Sequence, residues 1–344
     1  MRDNLNTTRR TIIKFGVLLV AVVACYFLVS TLCTSLYTMM VVDIALIYSL
    51  IAYSVSVLLG MGGELSFAGV SFMGGGAFLL ANLTTGRLGP TLSPVVSFLL
   101  IIPVFIVIAF IIGLILLRLK GTFFTFATIG LVQMTFAIYN NYKPLFGGAD
   151  GIAGIPTTEI FGMKLMNYND WFPVLLILAV VVGLIVERIR TTPMGRSLAA
   201  CRDNETAARV LGVNVYMTKV LAFTIAGVLS AMAGGLYAML TKFVSADMFT
   251  YASSTKYIIM AMLGGVQSTV GAFLGAFIVQ VLPQILSAFE GFLQLFWGIA
   301  IVLLMVFMPE GLAGIVKSLG RKFRAKNKKK VAAAAAAATE EGVK

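Results

Sequence analysis

VLLILAVVVGLIVERIRTTPMGRSLAACRDNETAARVLGVNVYMTKVLAFTIAGVLSAMAGGLYA, residues 174–238, decides the fold class. It reads as oil, then charge, then oil. The runs near 171–187 and 219–240 contain long apolar stretches, and each is long enough for a helix to cross a bilayer. Between them, Arg190 to Val213 holds four arginines and two carboxylates. A soluble helix pair would spread its charge around a polar face, whereas here the charge is confined to the connection.

The rest of the chain repeats this pattern. Hydrophobic residues make up 59% of its 344 residues and charged residues only 12%, with a mean hydropathy of +0.98. That is too little charge to cover the surface of a soluble domain. Short alternating segments, the mark of a membrane β-barrel, are absent. The fold class is an all-α polytopic membrane protein of about 8–10 transmembrane helices, with spans expected near 12–33, 39–59, 65–83, 95–117, 121–140, 171–187, 219–240, 255–266, 270–287 and 293–309. The third and eighth are short or glycine-broken, so eight spans with two half-spans fit equally. The N-terminal apolar run lacks a small-residue cleavage site and reads as a retained anchor.

Lys and Arg set the orientation. The segment 187–219 has six basic residues against three acidic, whereas 141–170 has two against three. Both termini are rich in Lys and Arg. The expected topology therefore puts both termini and 188–218 in the cytoplasm and 141–170 outside. The net charge of +12 then serves topology and attraction to lipid headgroups, with no nucleic-acid partner. The expected organisation is a basic arm over 1–14, a membrane domain over 15–315 and a basic, Ala-rich cytoplasmic tail over 316–344.

Composition also excludes chemistry. The chain has no histidine and three scattered cysteines, so neither a zinc site nor a disulfide framework is expected. No Gly-Lys pair occurs, so the chain has no P-loop of its own. Asp43, Glu64 and Glu290 are the ionisable residues expected near the spans, too few for an ordinary ion-coupled carrier. An intramembrane enzyme would lack its acid and base. A pore powered from elsewhere, a passive channel and a carrier using backbone carbonyls remain.

Thr192-Pro193 fits a helix start and Gly212 a helix stop. On one helix, Arg202, Glu205 and Arg209 would share a charged face, with Ala200, Ala207 and Leu211 opposite. That pattern fits a solvated loop helix, and it equally fits a docking element for a cytoplasmic partner. Elsewhere, LLGMGGELSFAGVSFMGGGAFLL (58–80) and AMLGGVQSTVGAFLGAFIV (261–279) each combine an apolar run, a glycine cluster and a polar step. Paired breaks of this kind point to a translocation path and are compatible with two internal repeats. Close helix packing explains the glycines as well. The candidate path residues are Glu64, Ser66, Gly74, Gly75, Gly76, Gly264, Gly265, Gln267 and Ser268. The ladder Ala222, Ala226, Ser230, Gly234 and Ala238 is a packing surface. The turn-rich stretch 140–156 reads either as a plain external connection or as a contact for an extracytoplasmic protein.

Several blocks together resemble the permease subunits of branched-chain amino acid type ABC importers. They are GELSFAGVSFMGGGAF (63–78), LRLKGTFFTFATIG (117–130), FGGADGIAGIP (146–156), TPMGRSLAACRDNETAARVLGVNVYMTKVLAFTIAGVLSAMAGGLYA (192–238), MLGGVQSTVGAFLGAF (262–277) and GIAIVLLMVFMPEGLAG (298–314). They run in the family's order over most of 40–315. Thr206 departs from the family's coupling-loop pattern, and Glu64 stands where many relatives have glutamine, which leaves the substrate open.

The resemblance implies a transport subunit, not an enzyme, in a bacterial cytoplasmic (inner) membrane. It implies a coupling segment on Arg196, Leu198, Arg202, Glu205, Ala207, Ala208, Arg209, Leu211 and Gly212. The implied partners are cytoplasmic ABC ATPase subunits, a second permease (homologous or identical), an extracytoplasmic substrate-binding protein and the lipid bilayer. No cofactor is expected on this chain, since ATP-Mg belongs to the ATPase. Branched-chain amino acids are the first expected cargo, with amides, urea or nucleosides as alternatives.

Overall fold

The structure, a computed structural model, describes residues 36–89, 91–160 and 162–285. The spans expected at 12–33 and 293–309, the basic arm, the tail and Glu290 lie outside the described residues. The other eight expected spans all appear as helices.

These helices are α1 (Leu36–Val55), α2 (Gly69–Thr85), α3 (Pro94–Leu116), α4 (Thr122–Asn141), α6 (Tyr168–Thr191), α9 (Val215–Thr241), α10 (Tyr251–Gly264) and α11 (Thr269–Ile285). Three shorter helices lie between them: α5 (Lys143–Phe146), α7 (Pro193–Asp203) and α8 (Glu205–Val210). Five helical stretches are long and apolar enough to cross a membrane on those grounds alone, namely Leu36–Met61, Pro94–Leu116, Thr122–Asn141, Tyr168–Thr191 and Val215–Thr241. α2, α10 and α11 are shorter.

The bundle has two distinct ends. At one, β1 (Ile152–Ala153) pairs with β4 (Phe243–Val244), and β2 (Thr158–Ile160) pairs with β3 (Met163–Leu165), both antiparallel. The turn-rich stretch after α4 is therefore stitched to the segment after α9. At the other end sits the charged connection between α6 and α9. α6 starts at the sheet end with a capping box between Asn167 and Asp170 and finishes at the charged end with Arg188 and Arg190 in its last turn, which suits the helix dipole.

The α9 ladder packs against α2 at backbone distance. A Cβ on Gly234 would run into the carbonyl of Met73, and one on Gly76 into the backbone of Ala231. Small residues on both helices are what permit this approach. Ser230 then reaches Ser54 of α1 at 2.8 Å. By contrast α3 and α4 cover little of their own surface: Phe123, Phe126, Ile111 and Ile115 are exposed.

Two sequence expectations need correction. Gly74, Gly75 and Gly76 do not break a helix, because they lie inside continuous α2. The break comes earlier, over 62–68, after α1 widens into a π-helical turn at Ser56–Met61. The charged segment is not one helix but two. Asn204 takes extended backbone and its side chain accepts the amide of Ala207 at 3.0 Å, so α7 ends and α8 begins there. An Asn side chain competes with the helical ladder in this way and makes a strong N-cap.

Candidate functional site

The α7–α8 elbow is fixed at both ends by its own sequence. Thr192 caps α7 through the amide of Gly195, with Pro193 at the first helical position. At the far end Gly212 takes φ +83°. Its amide bonds to Arg209 O, and that of Val213 bonds to Ala208 O, the paired pattern of a Schellman stop. Leu198 is fully buried and lies beneath Gly62. Cys201, Ala208 and Val215 form a small core where the elbow meets α9.

The break in the α7–α8 path rearranges the expected faces. Arg202 does not align with Glu205 and Arg209. It pairs with Asp203 at 2.9 Å and donates from Nη1 to Gly60 O at 2.8 Å. Gly63, at φ +74°, leaves room for its stem: a Cβ there would stand 2.7 Å from Arg202 Cγ. The Glu205–Arg209 pair does form, at 3.5 Å. Ala208 is on the buried side, whereas Ala207 and Leu211, expected on an apolar inner face, are exposed. Val210 is 84% and Leu211 80% exposed, an apolar pair at the tip of a charged segment. Arg196 turns back to its own helix entry, donating to Thr191 O at 2.9 Å.

The two glycine-broken segments meet at this same end. Ser56 Oγ donates to Val266 O at 2.6 Å, and a Cβ on Gly60 would collide with that carbonyl. Arg190 donates to Gln267 O. Thr269 reaches Glu187 at 2.8 Å. Gly265, at φ +106°, makes the turn between α10 and α11. Ser268 accepts the amide of Gly271 at 3.2 Å and so starts α11. Gly264 packs against the Gly271 carbonyl. These last residues thus shape a tight helical hairpin.

Past Glu64 the unwound stretch 62–68 leaves the helical ladder, so its backbone groups need other partners. α4 and α10 supply them. Thr125 donates to Leu65 O at 3.0 Å, Thr128 accepts from Phe67 N at 3.2 Å and Ser254 donates to Phe67 O at 2.6 Å. One side of the stretch borders a cavity of about 20 Å³, lined in part by Ser54, Glu64, Ser66, Ser254 and Tyr257. A larger hollow of about 270 Å³ is lined in part by Glu64, Arg118, Lys120, Glu205 and Lys219. Glu64 borders both.

Lys219, one turn into α9, donates to Glu64 and to Glu205 together. Its side chain is 10% exposed and that of Glu64 13%. The sequence counts Lys219 only as an orienting charge at a span edge, and its distant partner 155 residues away leaves no local signal. Lys256 of α10 is a second buried-side cation that the ionisable residues expected near the spans left out, although it falls inside the span expected at 255–266: it donates to Gln280 at 2.8 Å and lies 5.4 Å from the ring centre of Tyr48. Asp43 is fully buried in α1, with no hydrogen-bond partner among the described residues. Among the described residues no group of His, Cys, Asp and Glu could hold a metal.

Residues 37–309 match the family model described as "Branched-chain amino acid transport system / permease component". The chain belongs to this family. It is 28% identical over 320 residues to the high-affinity branched-chain amino acid transport system permease protein LivM of Escherichia coli strain K12, covering 86% of this chain and 73% of LivM. Identity and coverage are the same for LivM of Salmonella typhimurium strain LT2. It is also 31% identical over 204 residues to the autoinducer 2 import system permease protein LsrC of Klebsiella pneumoniae, covering 57% of this chain and 56% of LsrC. No solved structure matches. The protein is a multi-pass membrane permease component of an ABC-type transporter, a transport subunit.

Proposed function

We propose that the permease forms the translocation path of an importer in a bacterial inner membrane and carries branched-chain amino acids. An extracytoplasmic binding protein delivers the cargo at the sheet end. A second permease, homologous or identical, completes the path. Cytoplasmic ATPase subunits hold the ATP-Mg and seat on the α7–α8 elbow.

One observation carries the reading: the elbow has an outward apolar tip, Val210 and Leu211, and an inward grip on the unwound end of α1 at Gly60. A rigid lever with one free end and one end on the bundle suits the transmission of a push. The elbow's caps make it rigid, and Lys219 joins it to the 62–68 stretch. The likeness to LivM supports the cargo, while that to LsrC supports only the broader import class.

The test is uptake of radiolabelled leucine by proteoliposomes holding the full importer. Leucine uptake that needs both ATP and the binding protein supports the reading. Uptake by this chain alone without ATP overturns it in favour of a channel or ion-coupled carrier. ATP-driven uptake of another solute class overturns only the cargo.

A further inference from the structure

Two polar contacts of the elbow converge on residues 60–64. Arg202, at the end of α7, takes the Gly60 carbonyl at 2.8 Å. Glu205, at the start of α8, reaches Glu64 through Lys219. An ammonium has three N–H groups and no acceptor, so Lys219 serves both carboxylates without choosing between them. The two carboxylates are not equivalent. Glu205 has a second cation, Arg209, at 3.5 Å. Among the described residues, the ion pair of Glu64 is with Lys219 alone. Loss of the ammonium therefore strands Glu64 and leaves Glu205 compensated.

Glu64 also occupies a particular place. It lines the small cavity that Ser66, Ser254 and Tyr257 border, and it lines the hollow at the charged end. Glu64 N still bonds to Leu58 O of the π-helical turn at 3.2 Å, and beyond it Leu65 and Phe67 are held by side-chain hydrogen bonds from α4 and α10. Past Glu64 the stretch can shift by exchanging side-chain hydrogen bonds, without unwinding a helix.

We propose that Lys219 is the positioning residue that ties the 62–68 stretch to the elbow, so that Glu64, held by Lys219, closes the inner mouth of the path. This deepens the functional reading above and rests on it, since a partner at the elbow must supply the motion. When α8 moves, Lys219 and Glu64 follow as one ionic unit, and the cavity at Ser66 opens into the hollow. Arg202 keeps the end of α1 in register with the same motion.

The test uses the full chain with Cys25, Cys33 and Cys201 changed to Ser and Ser66→Cys as the reporter, in inverted and right-side-out membrane vesicles. The probe is a membrane-impermeant maleimide. With Lys219 present, labelling from the elbow side is slow. Lys219→Met should raise its rate by about ten-fold or more, the size expected when a charge-assisted contact is lost. Lys219→Arg should restore slow labelling. Because the single variant strands a carboxylate, the double variant Lys219→Met with Glu64→Gln decides the matter if the single does not fold. It leaves no stranded charge and should still label fast. Slow labelling in the double variant overturns the proposal, since Lys219 would then serve only to neutralise Glu64. ATP-dependent leucine uptake by the full importer is read alongside. If the parent lacks it, the functional reading fails while the labelling result on Lys219 stands. If the parent has it and labelling never changes, the functional reading survives and the tie through Lys219 falls.

Discussion

Ser56 donates its hydroxyl to the carbonyl oxygen of Val266 at 2.6 Å, across 210 residues of chain. The bond joins the π-helical end of α1 to the turn between α10 and α11. It brings together the two glycine-bearing segments that the sequence could only compare by composition. One turn further along, Gly60 keeps that carbonyl accessible, because a Cβ there would occupy the same space.

Gly60→Ala should therefore separate the two segments. The obstacle is backbone, which cannot rotate away, and overpacking of this kind costs about 1–3 kcal/mol. Thermal unfolding in detergent measures it. A melting temperature equal to that of the parent would mean that the α10–α11 turn yields freely.

Within α2, Gly76 and Gly75 should respond differently. A Cβ on Gly76 meets the backbone of Ala231, whereas one on Gly75 meets the ring of Phe105, at 2.7 Å from Cζ. The Phe105 side chain can swing aside about its Cα–Cβ bond, and a backbone cannot. Gly76→Ala should cost about 1–3 kcal/mol and Gly75→Ala clearly less. The same unfolding assay, run on both variants, checks the order.

Leu211→Ser and Val210→Ser should leave the fold intact, since the two residues are 80% and 84% exposed and exposed changes usually stay within about 0.5 kcal/mol. If the ATPase seats on this tip, the double variant should lose about 2 kcal/mol or more of binding, the scale of an interface hot spot. Co-purification of the ATPase reads this directly. Reversing Arg202, Glu205 and Arg209 together is a poorer probe, because Arg202 and Glu205 also hold the elbow to the bundle.

Cysteines placed at Leu145 and Glu205, in a background with Cys25, Cys33 and Cys201 removed, should label from opposite sides of the membrane. α6 runs from the sheet end to the elbow, so one crossing separates them. Labelling from the same side would contradict the orientation read from the basic clusters.

Cys201 should be a slow thiol in the parent chain. It is 2% exposed, and burial, its largest influence, pushes the thiol above its ordinary range, with Lys219 opposing. Only the thiolate attacks. Maleimide labelling at Cys201 should thus stay slow near neutral pH and rise as the medium becomes alkaline. Fast labelling at neutral pH would show that the Cys201–Ala208–Val215 core opens readily.

Local signals were legible where they act over a few residues. Thr192-Pro193 and Gly212 mark the elbow's ends because capping involves neighbours. The α9 ladder from Ala222 to Ala238 announces close packing by its spacing. The family blocks mark the stretch 192–238 that carries the elbow. Asn204 was legible in principle as an N-cap, but the helical spacing of Arg202, Glu205 and Arg209 suggested one continuous helix. At Gly74 to Gly76, composition suggested a break, whereas the structure uses the lost side chains for contact with α9, Phe105, Tyr139 and Phe249.

By itself the sequence determined the fold class, eight of the described helices, the charged connection and the family. Each follows from hydropathy, capping or motif order, which are properties of contiguous residues. Only the tertiary structure decided that Glu64 and Glu205 share Lys219, that Arg202 takes Gly60, and that Ser56 meets Val266. Inside a bundle a polar group must find a partner wherever packing brings one. Here the Lys219–Glu64, Arg202–Gly60 and Ser56–Val266 partners lie 155, 142 and 210 residues apart, so helix packing selects them rather than sequence spacing.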